Sequence, residues 1–282
     1  MIIDCTKIAN KIIEEVKSEI NIIKSNNIIP KIVILNSNNN IETKKFIQHK
    51  KNLAESLGVQ CEILTNFNNQ KSLINCIKKI NEDCSVHGYI IQLPLKSNFK
   101  LDEIIEHIDI KKDIDGISHL AISRNFSRSN NFYNLTCTCQ AILKIIENQK
   151  YKLSGKNVVI INRKEIIGKP LIANLLEMDA TVTVCHSKTK NLNHFTNNAD
   201  LLITAIGKPN YFKKRMIKKN AFVIDAGISY LNNKPVGDVD FEQVKTQAKY
   251  LTPVPNGVGK ITVAMIFKNL VNLIKNYIET KK

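Results

Sequence analysis

One side chain in the first half of the sequence, Lys50, has a type and spacing suited to proton transfer. Lys50 follows Phe46 by four residues within the helical pattern of 42–57, so the two share one helix face. A lysine amine among apolar neighbours has a lowered pKa and can donate or accept a proton near neutral pH. Gln92 ends an apolar strand, from which its amide could reach the same site. The structural alternatives are a lysine that snorkels at the core rim and a solvated strand-end glutamine.

Two carboxylates flank Ile114 in the segment Asp113-Ile-Asp115-Gly116. A carboxylate beside a glycine is most often part of a turn or a helix cap, so the spacing alone does not assign these groups to a site.

The stretch from Gly155 to Pro170 predicts the first half of a nucleotide-binding βαβ unit. A β-branched run at 158–161 is typical of a buried parallel strand, and Pro170 begins an apolar helical pattern. The intervening turn would lie where free helix N–H groups bind phosphate. Only Gly168 remains of a glycine-rich fingerprint, so an ordinary strand–turn–helix connection stays open.

The residues after the next strand bear on which dinucleotide would bind. Strand 181–184 leads to His186-Ser187-Lys188, without the acid that holds the ribose 2′-hydroxyl of NAD. Arg163, Lys164 and Ser187 could instead bind a 2′-phosphate together. The alternative is a set of solvated surface charges.

The elements that would position these groups alternate between helix and strand. The first set comprises a helix through Ile8 and Ile20 that Thr6 caps, strands 31–35, 61–64 and 88–92, and helices 42–57 and 73–80. The second set comprises strands 158–161, 181–184, 201–205 and 221–225, followed by an apolar helix at 263–278. This alternation predicts parallel α/β sheets.

The fold class is therefore α/β with two domains. We expect an N-terminal α/β domain of residues 1–120 plus 262–282, because the last helix should pack back on it. Residues 121–261 should form a Rossmann-like, doubly wound nucleotide-binding domain. The polar segment 123–134 is interpreted as a surface connection between them.

Composition limits the class of protein. No apolar run approaches 18 residues and the start of the chain shows no cleavable signal pattern, so we expect a cytoplasmic protein without membrane contact. The seven cysteines are scattered, and Cys137-x-Cys139 is poor evidence for a metal, so we expect none. The formal charge of +16 favours anionic partners, but the lysines are dispersed, which argues against a nucleic-acid surface.

Six segments in order resemble the bifunctional methylenetetrahydrofolate dehydrogenase/methenyltetrahydrofolate cyclohydrolase family, and the match runs from end to end. They are Gly88-Tyr-Ile-Ile-Gln-Leu-Pro-Leu95, Lys112-Asp-Ile-Asp-Gly116, Ile167-Gly-Lys-Pro170, Thr181-Val-Thr-Val-Cys-His-Ser187, Gly237-Asp-Val239 and Thr252-Pro-Val-Pro-Asn-Gly-Val-Gly259. The resemblance implies an enzyme of one-carbon metabolism. It would oxidise 5,10-methylenetetrahydrofolate to the methenyl form with NADP and hydrolyse that product to 10-formyltetrahydrofolate.

The resemblance also implies residue roles. Lys50 would transfer protons in hydrolysis with Gln92 orienting it, and Asp115 would hold the pterin ring. The implied substrate contacts are Phe46, Pro94, Asp115 and Gly257, and the implied cofactor contacts are Asn162, Arg163, Lys164, Ser187 and Ile228. Tetrahydrofolates would be the substrates, and the protein would be a homodimer.

This sequence departs from the family pattern at several of these positions. Phe46 replaces a tyrosine whose hydroxyl would help to tune Lys50, while Asn162 and Asn256 replace glycines of turns. Because asparagine tolerates left-handed backbone, we expect both asparagines to preserve those turns. The alternative function keeps the fold but weakens or loses one activity, the cyclohydrolase first, leaving a dehydrogenase or a folate or nucleotide binder.

Overall fold

The computed structural model describes residues 1–38, 40–126 and 135–280. The chain divides into two compact units. One comprises Met1–Lys11 with Thr138–Ala264, and the other comprises Ile12–Cys137 with Met265–Lys282. Our domain limits of 1–120 plus 262–282 and 121–261 stay a prediction. Of the predicted connection 123–134, residues 123–125 belong to a helix and 127–134 lie outside the described residues.

The first half of the chain alternates helices and short parallel strands, as predicted. In chain order these are α1 (Cys5–Ser25), β1 (Lys31–Leu35), α2 (Ile41–Ser56), β2 (Gln60–Leu64), α3 (Gln70–Glu82), β3 (Gly88–Ile91), α4 (Leu101–Ile105) and α5 (His119–Asn125). The three strands form one parallel sheet in the order β2-β1-β3. The central strand β1 is buried from Ile32 to Leu35, as expected of a strand covered on both faces.

The starts of α1 and α3 differ from the sequence-based prediction. Thr6 was expected to cap α1, but the helix begins at Cys5, and the Asp4 carboxylate accepts the Lys7 N–H at 2.9 Å. Helix α3 begins at Gln70, three residues earlier than predicted. There the Asn69 and Ser72 side chains form a reciprocal capping box, which satisfies helix N–H groups that would otherwise be unpaired.

The second half contains the Rossmann-like sheet. Its elements are α6 (Cys137–Asn148), β4 (Asn157–Ile161), α7 (Gly168–Glu177), β5 (Thr181–Cys185), α8 (Leu192–Thr196), β6 (Leu201–Thr204), β7 (Phe222–Asp225), β8 (Ser229–Leu231), β9 (Lys234–Val236), α9 (Phe241–Val244), β10 (Tyr250–Leu251) and α10 (Val258–Thr280). Five strands run parallel in the order β10-β7-β6-β4-β5, and β8 and β9 form an antiparallel hairpin. The order in which the chain adds strands reverses at β4. Strand β5 lies on one side of β4, and β6, β7 and β10 follow on the other side.

The C-terminal helix packs against the first helix, as expected. Lys268 and Lys275 of α10 reach the Glu19 carboxylate of α1 at 2.8 and 2.7 Å. Among the helices of the described residues, none combines the length and apolar character needed to cross a membrane.

Candidate functional site

Lys50 and Gln92 form a buried pair. Helix α2 holds Lys50 with 4% of its surface exposed, so the lysine does not snorkel to solvent. Its Nζ donates to Gln92 Oε1 at 2.9 Å. Gln92 is fixed in turn, because its backbone N–H donates to Leu35 O at 2.8 Å and its Nε2 to Leu93 O at 2.6 Å. The predicted pairing of a helix lysine with a strand-end amide is therefore present.

Opposing influences act on the Lys50 ammonium. Burial lowers the pKa of Lys50, whereas the nearby Asp115 and the thiols of Cys137 and Cys61 act in the opposite direction. The ammonium also lies 4.7 Å from the centre of the Phe46 ring, and a cation over an aromatic face is stabilised. The amine therefore has a lowered pKa but keeps partners for its charged form, which suits a group that gains and loses a proton.

Asp115 is the carboxylate whose charge acts on this lysine. Burial raises the pKa of Asp115, and the charge on Lys50 and a hydrogen bond from the Cys137 thiol counteract that rise. Asp115 nevertheless keeps part of its surface accessible, so it can meet a ligand. Its carboxylate can accept two N–H bonds from one planar ring edge.

The loop that presents Asp115 is held rigidly. The Asp113 carboxylate accepts the N–H groups of Gly116 at 2.8 Å, Ile117 at 3.2 Å and Ser118 at 2.7 Å. Gly116 has a φ of 69°, which favours glycine. The two carboxylates thus differ in role, because Asp113 fixes the turn and the charge of Asp115 acts on Lys50.

Asn269 of α10 supports the same loop and is a residue that the sequence analysis missed. It is fully buried, and its Nδ2 donates to Ile114 O at 3.0 Å and contacts Cys137 Sγ at 3.4 Å. The available signal was an amide inside an otherwise apolar helical stripe, because a buried amide requires partners.

The other predicted substrate contacts are surface groups or backbone. Phe46 is 38% exposed, and Pro94 is exposed after a cis Leu93–Pro94 bond. Gly257 belongs to the unit of residues 138–264, where it is buried. A Cβ there would lie 1.9 Å from the Pro253 carbonyl oxygen, so only glycine fits.

The predicted cofactor residues gather at one edge of the five-stranded sheet. Ile161 and Cys185 are register partners at the carboxyl ends of β4 and β5. The exposed residues Arg163, Lys164 and Ser187 follow those strand ends directly, and residues 186–190 include no acid. This edge of an open α/β sheet is where dinucleotides bind, and the residues present suit a phosphorylated ribose.

Asn162 supports this edge differently from what the sequence suggested. It is not among the residues with positive φ, so the expected left-handed backbone is wrong for Asn162. Its side chain instead accepts the N–H groups of Lys164 at 2.8 Å and Gly168 at 3.2 Å, and donates to Ala205 O at 2.5 Å. The amide thereby joins the ends of β4 and β6, the strands at the reversal of order. For Asn256, with a φ of 66°, the expectation is confirmed.

Two buried aspartates shape the loops after β6 and β7. Asp238 accepts the N–H groups of Ile206 at 2.6 Å and Lys208 at 2.7 Å, and Asp225 accepts those of Gly227 at 3.0 Å and of Val239 at 2.8 Å. Burial raises the pKa of Asp225 to about 6. These bonds fix the backbone that leads to Ile228, which is 60% exposed and so available to a ligand.

Acidic, histidine and cysteine side chains do not come together as a metal site in the part of the chain that the structure describes. No group of three or more such residues there is arranged to hold an ion.

Comparison with known proteins links this geometry to one family. Residues 3–115 match the catalytic domain of tetrahydrofolate dehydrogenase/cyclohydrolase, and residues 136–278 match its NAD(P)-binding domain. The chain is 48% identical over 276 residues to the bifunctional protein FolD of Malacoplasma penetrans, covering 98% of each.

Solved structures agree with this match. The bifunctional enzyme FolD from Campylobacter jejuni is 35% identical with a TM-score of 0.93, covering 98% of this chain and 99% of that one. The Trypanosoma brucei enzyme, complexed with NADP cofactor and inhibitor, is 27% identical with a TM-score of 0.92, covering 99% and 98%. The chain therefore belongs to the tetrahydrofolate dehydrogenase/cyclohydrolase family and carries both of its domains, one catalytic and one binding NAD(P).

Proposed function

We propose that this protein performs both reactions of its family in one-carbon folate metabolism. It oxidises 5,10-methylenetetrahydrofolate to the methenyl form with NADP, and then hydrolyses the methenyl form to 10-formyltetrahydrofolate. The buried Lys50–Gln92 pair at 2.9 Å is the observation that carries the hydrolytic half of the proposal. Two matched domains over the length of the chain support the dehydrogenase half.

In hydrolysis, Lys50 moves the protons. Water attacks the cationic amidinium carbon, and the resulting tetrahedral adduct must lose and gain protons before its ring opens. A lysine with a lowered pKa can accept a proton from the attacking water and return it to the departing ring nitrogen. Gln92 holds the amine in position, because its own amide is tied to Leu93.

Substrate binding falls to Asp115 and Phe46. The partly accessible Asp115 carboxylate accepts from the N–H groups of the pterin ring as a two-point anchor. The exposed part of the Phe46 ring offers an apolar face for stacking. Pro94 and Gly257 complete the proposed substrate contacts.

The cofactor that we propose is NADP rather than NAD. When bound, NADP supplies the hydride acceptor for the first reaction. Arg163, Lys164 and Ser187 bind its 2′-phosphate, since no acid follows β5 to favour a free 2′-hydroxyl. Asn162 holds the phosphate turn in shape, and Ile228 lines the nicotinamide side.

The experiment for this proposal follows reduced cofactor and methenyl absorbance separately. Purified protein is given 5,10-methylenetetrahydrofolate with NADP or with NAD. We expect reduction of NADP at a higher kcat/KM than NAD, with little methenyl product remaining. No reduction of either nucleotide would exclude the dehydrogenase activity.

A second candidate function is a dehydrogenase with a weak cyclohydrolase. The observation in its favour is Phe46, which offers Lys50 a ring face but no hydroxyl. The same assay separates the two, because this candidate accumulates the methenyl product as NADP is reduced. A protein that binds folate tightly without turnover would be a binder only.

The proposal also includes a homodimer in the cytoplasm. Light scattering of the purified protein tests the oligomeric state, with twice the chain mass of 32.0 kDa expected. Cell fractionation tests the location.

A further inference from the structure

A concave surface in the unit of residues 138–264 concentrates positive charge away from the predicted cofactor residues. The pocket has a volume of about 510 Å³ and is lined by Gln149, Lys150, Tyr151, Lys152, Lys156, Asp200, Lys218, Lys219, Asn220, Ala221, Lys249 and Tyr250. Six lysines thus surround a single acid. We call these residues the lysine pocket.

The single acid is already engaged. Asp200 pairs with Lys218 at 2.8 Å and also accepts the Asn157 N–H at 3.0 Å. The other five lysines of the pocket form no ion pair with an acid of the described residues. Five lysines without such a partner on one concave surface give it a positive charge that a compact polyanion would neutralise.

The pocket lies at the opposite edge of the sheet from the predicted cofactor residues. Lys156, Asp200, Ala221 and Lys249 immediately precede β4, β6, β7 and β10, so the pocket lies at the amino ends of these parallel strands. The predicted 2′-phosphate residues follow the carboxyl ends. A five-residue strand separates the two edges by roughly 16 Å at ~3.3 Å per residue, too far for one phosphate to contact both.

The lining indicates the chemistry of the ligand. We propose that the lysine pocket binds a chain of three or more phosphates, either free or attached to a nucleoside. Six lysines line the pocket, and a lysine ammonium binds phosphate oxygens as a point charge. Tyr151 and Tyr250 are partly exposed and offer aromatic surface to a base. The volume lies within the range of about 300–1,000 Å³ typical of small-molecule sites.

Calorimetry with inorganic tripolyphosphate and with ATP tests this proposal on protein saturated with NADP. The pocket variant combines Lys152→Gln, Lys219→Gln and Lys249→Gln. The control variant combines Lys17→Gln, Lys71→Gln and Lys78→Gln, which removes the same charge from exposed positions outside the pocket. Circular dichroism checks that both variants fold.

We expect binding that persists with NADP and weakens with salt. The pocket variant should weaken it by about tenfold or more and the control by less than about twofold. Equal affinity for the two ligands would identify the phosphate chain alone as the determinant, whereas tighter ATP binding that Tyr250→Ala abolishes would identify a nucleoside polyphosphate. No binding of either ligand, equal loss in both variants, or full displacement by NADP would overturn the proposal.

Discussion

At the scale of single residues, Lys50 is the most informative position. Burial favours its neutral form, while Asp115 and the Phe46 ring favour its ammonium form. A group that transfers protons must adopt both its neutral and its charged form, and these few neighbours stabilise each form of Lys50. Because these neighbours come together only in the folded chain, the sequence identified Lys50 as a candidate but could not assign its role.

The pH dependence of hydrolysis follows from the lowered pKa of Lys50. In the proposed mechanism the neutral amine accepts the proton, so kcat for methenyltetrahydrofolate hydrolysis should rise with pH through that pKa. The value of kcat should level off at a pH below 10.5, the ordinary pKa of a lysine. Asp115→Asn removes a charge that opposes the lowering, so the rise should move to lower pH. Initial rates corrected for uncatalysed hydrolysis measure this, and an unshifted profile in the variant would contradict the coupling.

Phe46→Tyr tests the main departure from the family pattern. The centre of the ring lies 4.7 Å from Lys50 Nζ, so a tyrosine hydroxyl would add a polar group near the proposed catalytic amine. We expect the hydrolysis kcat to increase several-fold, which is less than the roughly 10²–10⁴-fold of a whole acid–base group, and NADP reduction to change little. Steady-state assays of the two steps provide the comparison. A fall in both activities would show that phenylalanine is preferred here.

At the scale of elements, the loops after the strands determine what the sheets can bind. The strands and helices that were predicted lie within five residues of their observed bounds, because β-branched runs and apolar periodicity encode them locally. The short strands β8, β9 and β10 were not predicted. The loop contacts were not predicted. Asn162 acts through side-chain bonds to Lys164, Gly168 and Ala205, and such bonds depend on strands that meet only in the folded chain.

Replacement of Asn162 tests whether this residue is needed for a left-handed backbone or for its side-chain hydrogen bonds. A left-handed backbone would make Asn162→Gly harmless, whereas the side-chain role predicts that Asn162→Gly and Asn162→Ala both lose stability. We expect a loss of about 1–3 kcal/mol in the free energy of unfolding, because buried donors and acceptors lose partners. NADP should also bind more weakly. Denaturant unfolding and calorimetry measure these effects, and Asn256→Gly, at a position with φ of 66°, is the control expected to change little. A stable Asn162→Gly variant would refute the side-chain role.

The sequence predicted one contact at the candidate site but missed support that comes from far along the chain, and the residue roles stay a prediction. Lys50 and Gln92 were predicted from a helix face and a strand end, and they do meet. Asn269 lies 155 residues from its partner Ile114, so no local pattern could reveal that contact.

At the scale of the whole molecule, the two family domains separate the chemical tasks. The catalytic match spans residues 3–115 and contains Lys50, Gln92 and Asp115. The NAD(P)-binding match spans residues 136–278 and contains the predicted 2′-phosphate residues Arg163, Lys164 and Ser187. Hydrolysis should therefore be removable without loss of oxidation, because the proposed proton-transfer residues all lie within residues 3–115.

The central claim is that one protein performs both steps and that Lys50 serves the second. The most direct measurement is the ratio of accumulated methenyltetrahydrofolate to reduced NADP during turnover of 5,10-methylenetetrahydrofolate by Lys50→Met. We expect the ratio to approach one, because hydrolysis falls by about 10²-fold or more while oxidation continues. The wild type and Lys45→Met, an exposed position on the same helix, should keep a low ratio. A low ratio in Lys50→Met with NADP still reduced would contradict the account.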